Sequence, residues 1–217
     1  MTEKDKFSYP GNQATVSWSR NLCIHIGECG RAEGDLFVDG RNPWCQPDLA
    51  ADDEVEQVVQ RCPTGALSVE FADGSRVERA PASNSIQVAY NGPLFITGEL
   101  QIADAPVDLP GLKFRAALCR CGKSRNKPYC DNSHLNSDFS DYGAIGTAGD
   151  LDAKTGGPLE IRSAPDGPLL VKGNVTLVSS SGRQSWSGSQ VALCRCGASN
   201  NKPFCDGQHK KVGFKSE

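Results

Sequence analysis

The sequence predicts an α+β fold in which a small N-terminal α+β domain is followed by two copies of a β-rich unit. Three observations support this prediction: a segment that recurs at a constant offset of 75 residues, alternating apolar residues within both copies, and helical spacing of apolar residues in the segment before them. With 217 residues, 38% of them hydrophobic and 23% charged, the chain is long enough for two small domains with buried cores.

The N-terminal unit is predicted to cover residues 8–75 and to contain one helix between strands. Its predicted elements are a strand over 15–18, a helix with Asp53 and Glu56 as its N-cap signal and Cys62-Pro63 as its stop, and a returning strand over 66–71. Residues 76–85 are rich in Ala, Ser and Pro, a composition that is typical of a linker.

The internal repeat defines the rest of the chain. NGPLFITGELQI (91–102) aligns with DGPLLVKGNVTL (166–177), and ALCRCGKSRNKPYCDNSH (117–134) aligns with ALCRCGASNNKPFCDGQH (192–209), where 13 of 18 residues are identical. Each copy predicts one strand with a central glycine, Gly98 or Gly173, which marks a bulge or a close backbone approach. A second strand, over 114–118 or 190–193, then leads to the cysteines.

The repeats are predicted to cover residues 86–142 and 158–217, with a linker over 143–157 that contains five glycines. Because each repeat is too small to bury much apolar surface alone, we expect the two to pair about a pseudo-twofold axis. The result would be a monomer with an internal pseudo-dimer, in which a β-rich cap carries two metal-binding loops and short helices.

The composition indicates the cellular compartment of the protein and the classes of partner that it binds. No run of about 18 apolar residues occurs, the mean hydropathy is -0.42, and no apolar signal segment follows the N-terminal charges, so we expect a cytoplasmic protein without a membrane span. Ten cysteines in a reducing compartment point to metal binding. Residues 1–80 carry 8 basic and 14 acidic side chains, and the net charge of -3 argues against a nucleic-acid partner.

Each repeat supplies three thiolates and one imidazole within 16 residues. The candidate ligands are Cys119, Cys121, Cys130 and His134 in the first repeat, and Cys194, Cys196, Cys205 and His209 in the second. Zinc also takes three Cys and one His, but its usual Cys spacing is two to four residues, so the single-residue gap disfavours zinc. Asp131 and Asp206 fit as N-caps of a short helix that carries the histidine.

These motifs resemble the CDGSH iron–sulfur (mitoNEET-like) family in its tandem, two-motif form, over about residues 85–217. The resemblance implies that each ligand set holds one [2Fe-2S] cluster. A His ligand in place of a thiolate raises the reduction potential, and protonation of that His would make the cluster labile. The sequence departs from the family pattern at Asn132, where the family has Gly, and at Gln208. Asn tolerates a left-handed backbone better than most residues, so the ligand geometry is expected to survive.

The remaining cysteines resemble the divergent 4Fe-4S mono-cluster, ferredoxin-like domain. Cys23, Cys29 and Cys62 match its ligand positions, whereas Ile26 stands where a four-thiolate ferredoxin has another Cys. Cys45 is the candidate fourth ligand, because it accounts for all ten cysteines, and its alternative role is a small buried hydrophobe. His25 could also bind the cluster or hydrogen-bond to a cluster sulfur. With neither as ligand, the three cysteines would suit a [3Fe-4S] rather than a [4Fe-4S] cluster.

The sequence therefore predicts a bacterial iron–sulfur protein for electron transfer or redox sensing, with an unidentified redox partner. The alternative is storage or transfer of clusters to an apo-acceptor protein. An enzyme is not expected, because the chain contains no nucleophile elbow, phosphate loop or paired carboxylates in a supporting context.

Overall fold

The computed structural model describes residues 5–74, 76–150 and 154–216. Residues 1–4, Ser75 of the predicted N-terminal domain, residues 151–153 of the predicted glycine-rich linker and Glu217 of the second repeat lie outside the described residues. Strands dominate and helices are short, which confirms the α+β fold class. Among the described helices, none has the length and apolar character needed to cross a bilayer.

The N-terminal domain is a three-stranded antiparallel sheet covered by one helix. Its elements are β1 (Lys6–Pro10), β2 (Ala14–Ser19), the helix α1 (Asp52–Gln60) and β3 (Leu67–Phe71), with a 3-10 turn at Pro47–Leu49. The sheet order is β1-β2-β3. Val55, Val58 and Val59 are buried between α1 and the sheet, as their helical spacing predicts.

Two details of this domain differ from the prediction. The N-cap of α1 is Ala51, not Asp53, and its side chain makes no capping hydrogen bond. Asp53 is instead the second helical residue, within an acidic first turn that complements the helix dipole, and its carboxylate pairs with Arg76. Strand β1 was not predicted, because none of its side chains is fully buried and the sequence pattern of an edge strand is weak.

Within its described residues, the C-terminal domain contains seven strands in one sheet. They are β4 (Ser85–Val88), β5 (Leu94–Thr97), β6 (Glu99–Ile102), β7 (Arg115–Leu118), β8 (Pro158–Ser163), β9 (Leu169–Val178) and β10 (Ser185–Leu193). The strand order is β6-β8-β9-β4-β5-β7, and β10 pairs with β9. Strands β4 and β8 were not predicted, although each alternates buried and exposed residues.

Strand exchange between the repeats confirms the pseudo-twofold arrangement. β4 of the first repeat pairs in parallel with β9 of the second, with Ser85 opposite Thr176. β8 of the second repeat pairs in parallel with β6 of the first, with Gln101 opposite Glu160. Adding 75 to the number of Ser85 gives that of Glu160, and subtracting 75 from the number of Thr176 gives that of Gln101. The two pairs are therefore related by the repeat, and the two halves of the sheet are equivalent.

The two glycines predicted to lie at mid-strand both mark close backbone approaches, as predicted. Only Gly173 lies within a strand, however, because the single strand predicted in the first repeat is divided into β5 and β6 at Gly98. A Cβ at Gly98, between β5 and β6, would lie 2.1 Å from Asn84 Oδ1, and one at Gly173 would lie 2.3 Å from the carbonyl oxygen of Pro158. Asn84 is buried, and its Nδ2 donates to the carbonyl of Asn174 at 2.8 Å. Because Gly98 has no Cβ, the Asn84 side chain fits beside it and joins the two repeats through its hydrogen bond to Asn174.

The N-terminal domain packs directly against the first repeat through Arg115 of β7. This buried guanidinium donates to the carbonyl oxygens of Val59 and Cys62 in the N-terminal domain and forms an ion pair with Glu78 at 2.8 Å. Burial raises the pKa of the Glu78 carboxyl, although Arg115 opposes that effect. The chain between the two domains is thus held at the domain interface.

Candidate metal centres

The first motif brings its four candidate ligands into two close pairs. The Sγ atoms of Cys119 and Cys121 lie 3.6 Å apart, and Cys130 Sγ lies 3.5 Å from His134 Nδ1. The first pair follows β7 directly, whereas the second pair flanks the start of the 3-10 helix Ser133–Asn136. The sheet therefore presents one pair, and the loop and helix present the other.

The second motif repeats this arrangement. Cys194 Sγ and Cys196 Sγ lie 3.8 Å apart directly after β10, and Cys205 Sγ lies 3.4 Å from His209 Nδ1. His209 lies in the short helix α2 (Gln208–Lys211). These sulfur–sulfur distances far exceed the ~2.05 Å of a disulfide bond, and the cysteines are free.

The pairwise arrangement fits a binuclear cluster better than a single ion. Two thiolates on one tetrahedral metal, with metal–sulfur bonds of about 2.3 Å, lie about 3.8 Å apart. The Cys pairs have nearly this spacing. In the ranges that the structure describes, no three His, Cys, Asp or Glu side chains are grouped as one bound ion would require. Each motif therefore brings its four candidate ligands together as two separate pairs.

The aspartates of the motifs were predicted to be helix N-caps, but each lies one residue before the N-cap. The N-cap residues are Asn132 and Gly207, so Asp131 and Asp206 precede the caps. Asp131 still accepts a hydrogen bond from the Ser133 N–H at 3.0 Å, and it also accepts one from the Arg125 N–H at 2.8 Å. The carboxylate therefore joins the helix start to the loop before it, a role that capping-box rules do not predict.

Asn132 adopts a left-handed backbone, the conformation that its residue type was expected to tolerate. Its φ is 67°, and that of the equivalent Gly207 is 85°. Asn at this position therefore preserves the turn that carries the histidine into place.

Hydrogen bonds to sulfur stabilise negative charge in both motifs. The N–H groups of Lys123 and Ala198 donate to Cys121 Sγ and Cys196 Sγ, each at 3.4 Å. Within the first pair, a hydrogen bond from Cys121 lowers the pKa of the Cys119 thiol. One thiolate is thus favoured before metal binds, and N–H donors to cluster sulfurs would favour reduction.

The two motifs touch at the pseudo-twofold axis. Cys121 and Cys196 form an antiparallel backbone bridge, and each is followed by a glycine in a left-handed conformation. A Cβ at Gly122 would lie 2.6 Å from the Cys196 carbonyl oxygen, and one at Gly197 would lie 2.6 Å from the Cys121 carbonyl oxygen. Both positions therefore require glycine, and one candidate ligand of each site lies in backbone contact with the other.

Sequence reasoning missed Arg120 and Arg195, the central residues of the Cys-Arg-Cys segments. Both side chains are buried, and their Nε atoms donate to the carbonyls of Gly92 and Gly167 at 2.8 and 3.0 Å. Each arginine therefore ties its cysteines to the turn before β5 or β9 and places a positive charge beside them. The identity of this segment in both repeats was the available signal.

A third site lies in the N-terminal domain. A cavity of about 730 Å³ is lined by Cys23, Cys29, Cys62 and His25, the last with a left-handed φ of 54°. Burial raises the pKa of the Cys29 thiol, and the charges of Cys62 and Cys23 raise it further, as expected of neighbouring thiols. The Thr64 hydroxyl lies 3.4 Å from Cys62 Sγ.

Cys45 lies behind the cavity, in a core cluster against which Cys29 and Cys62 also pack, and the charge of Cys29 acts on its thiol. Its side chain is 1% exposed, packs in the N-terminal core with Val16 and Phe37, and does not line the cavity. Burial raises the pKa of its thiol to about 12. This position favours the alternative of a small buried hydrophobe, and a ligand role for Cys45 stays a prediction.

The two C-terminal motifs supply two Cys₃His sets that are related by the pseudo-twofold axis. The N-terminal cavity is a third site and is lined by three cysteines. Together, these features define an iron–sulfur protein. Residues 91–135 and 166–210 match the family described as iron-binding zinc finger CDGSH type, and residues 9–71 match the family described as divergent 4Fe-4S mono-cluster. The uncharacterized protein YjdI of Escherichia coli strain K12 is 39% identical over 59 residues, which are 27% of this chain and 78% of that protein; YjdI of Escherichia coli O157:H7 gives the same values. The chain therefore contains two CDGSH-type iron-binding segments and an N-terminal segment of the divergent 4Fe-4S type, and it belongs to one family with YjdI.

Proposed function

We propose that this protein is a cytoplasmic electron carrier that holds two [2Fe-2S] clusters and one [4Fe-4S] or [3Fe-4S] cluster. The [2Fe-2S] ligands would be Cys119, Cys121, Cys130 and His134, and Cys194, Cys196, Cys205 and His209; the N-terminal ligands would be Cys23, Cys29 and Cys62, with Cys45, His25 or neither as a fourth. When bound, these clusters would supply one-electron redox chemistry. We propose no catalytic residue and no substrate for this protein.

The observation that carries the proposal is the continuity of the three sites. Cys121 and Cys196 share a backbone bridge, so the two C-terminal sites adjoin. The carbonyl of Cys62 accepts a hydrogen bond from Arg115, only four residues before Cys119. Three adjoining redox sites in one monomer suit the passage of single electrons between separate protein partners.

The second candidate function is cluster storage or delivery, which partial exposure of the second site favours. Cys205 and His209 are both partly exposed, whereas their counterparts Cys130 and His134 are buried. A cluster held by an exposed pair would be the more accessible to an apo-acceptor.

Repeated redox cycling in the presence of an apo-ferredoxin distinguishes the two functions. For a carrier, the visible spectrum of the wild-type protein should recover after each cycle of reduction and reoxidation, and the acceptor should remain apo. For a donor, clusters should appear in the acceptor, and His209→Cys should block their transfer because a thiolate holds iron more tightly. His134→Cys is the matched variant at the buried site.

A further inference from the structure

The N-terminal domain covers the first CDGSH-type site. The side chain of Ile24, which follows Cys23, is 5% exposed and packs against Ala117 and Cys130. Asn132 Nδ2 also donates to the carbonyl oxygen of Ile24 at 2.8 Å. The segment that carries one N-terminal ligand is therefore fixed directly on a ligand of the first motif.

A second asparagine of the first motif extends this contact. Asn126 Nδ2 donates to the carbonyl oxygen of Asn21 at 2.7 Å. The equivalent residues of the second motif are Asn201 and Gly207. Gly207 has no side chain to donate, and the Asn201 side chain makes no hydrogen bond within the described ranges. The second motif lacks the contacts with which the first binds the N-terminal domain.

Basic side chains are distributed differently around the two sites: the first has exposed Lys123 and Arg125 where the second has Ala198 and Asn200, and the second has basic residues directly after its histidine. Lys210 and Lys211 follow His209 and are exposed, whereas Leu135 and Asn136 occupy the equivalent positions of the first repeat. Neither lysine has an ion-pair partner in the part of the chain that the structure describes.

The buried arginines of the two motifs are compensated differently. Arg120 forms an ion pair with Asp141 at 2.5 Å, but the residue equivalent to Asp141 in the second repeat is the neutral Ser216. Among the described residues, Arg195 forms no direct ion pair, although the charge of Asp166, which stands where the first repeat has Asn91, acts on it and is itself paired with Lys215. The basic character of the second site therefore rests on the exposed Lys210 and Lys211.

The covered site shows what kind of protein fits such a face. The domain seated on the first motif is small and acidic, since residues 1–80 carry 14 acidic and 8 basic side chains, and it holds a redox site of its own. The second motif offers the same backbone shape with two exposed lysines directly after its histidine. Charge complementarity thus favours an acidic, ferredoxin-sized partner at the second site.

We propose that the face formed by Cys205, His209, Lys210 and Lys211 is the docking surface for an acidic one-electron carrier protein of the ferredoxin type. This inference rests on the proposed electron-transfer function. In the exchange, the reduced partner loses one electron, this protein gains one electron, and no bond forms or breaks. The first site, under the N-terminal domain, takes no external partner.

The experiment uses the cluster-loaded full-length protein and an acidic plant-type [2Fe-2S] ferredoxin as the probe. Binding is measured by calorimetry with both proteins oxidised, and electron exchange is measured separately by stopped flow. Lys210→Gln/Lys211→Gln is the test variant and lowers the net charge by two, and Leu135→Glu/Asn136→Glu lowers it by the same amount at the equivalent positions of the first repeat. Visible spectra verify that both variants keep their clusters.

We expect the lysine variant to lower the affinity measured by calorimetry about tenfold or more at low salt, and the control variant to leave it nearly unchanged. Equal losses in both variants, or none in either, would overturn the docking surface. So would binding of a single-stranded oligonucleotide in place of the ferredoxin, or loss of binding through self-association of this chain. Specific binding without electron exchange would leave the surface standing and contradict the proposed function, so the two failures are distinguishable.

Discussion

The side-chain amide of Asn132 donates a hydrogen bond to the backbone carbonyl of Ile24 across the boundary between two domains. Asn132 stands where the CDGSH pattern has glycine, and its backbone keeps the left-handed conformation that glycine would adopt. The substitution therefore leaves the motif intact and adds a contact with the segment that carries Cys23. Asn132 is thus one of the residues that make the two sites different.

Exchanging Asn132 and Gly207 tests this asymmetry. Asn132→Gly removes one hydrogen bond worth about 1 kcal/mol, so local opening of the Ile24 segment should become about fivefold more frequent. Hydrogen–deuterium exchange of a peptide covering residues 21–26 measures that opening. Gly207→Asn adds the same side chain where no N-terminal carbonyl receives it, so exchange at 21–26 should not change. An unaltered rate in Asn132→Gly would show that the hydrogen bond does not hold the domains together.

The backbone contact at the pseudo-twofold axis predicts intolerance of Gly122→Ala. The new Cβ would meet the Cys196 carbonyl oxygen, and the left-handed conformation alone costs ~1–3 kcal/mol for a residue other than glycine. Urea unfolding should show a larger loss of stability than for Gly182→Ala, whose φ of 69° is similar but whose Cβ would meet nothing within 4 Å. Equal losses in the two variants would mean that the axis contact contributes nothing beyond backbone strain.

The placement of Cys45 predicts that Cys45→Ala leaves the N-terminal cluster spectrum unchanged while it lowers stability by about 1 kcal/mol, as loss of a small buried group does. Cys29→Ala, at a thiol that lines the cavity, should abolish or convert that spectrum. EPR spectra of both variants make the comparison. Appearance of a [3Fe-4S] signal in Cys45→Ala would establish Cys45 as the fourth ligand after all.

The C-terminal segment should confer acid sensitivity through Asp166. Its carboxylate accepts hydrogen bonds from Lys215 Nζ at 2.7 Å and from the Ser216 N–H at 2.9 Å, and these partners lower its pKa to about 2. Because the unfolded pKa is ~3.9, the stabilisation is fully present above that value and is lost as the pH falls towards the folded pKa. Denaturant unfolding across this range should give a flatter acid limb for Asp166→Asn, and a partly flattened one for Lys215→Met. A wild-type acid limb in Asp166→Asn would exclude this contribution.

The sequence predicted those features that repeat or alternate. Two segments at one offset predicted the pseudo-twofold axis, and the glycines at 98 and 173 predicted close approaches that the structure contains. The left-handed Asn132 followed from its residue type. Such features depend on local backbone preference or on a pattern of buried side chains, and both are written in the linear sequence.

What the sequence did not predict depends on partners distant in the chain. The edge strand β1 has no buried face to reveal it, and β4 and β8 are stabilised by pairing with the other repeat. In the sequence, nothing distinguishes Arg115 from other strand residues. Its role depends on the carbonyl oxygens of Val59 and Cys62, to which it donates hydrogen bonds in the folded structure. Counting cysteines likewise assigned Cys45 to a cluster, although core packing accounts for that residue equally well.

Iron content and EPR spectra of anaerobically purified protein test the central claim most directly. Two Cys₃His sets and one three-cysteine cavity imply about 7–8 irons per chain, with two [2Fe-2S] signals and one signal from a [4Fe-4S] or [3Fe-4S] cluster. Zinc should be absent from the ligand sets, since each presents ligand pairs for two metals. A colourless protein that contains stoichiometric zinc and no iron would contradict the account.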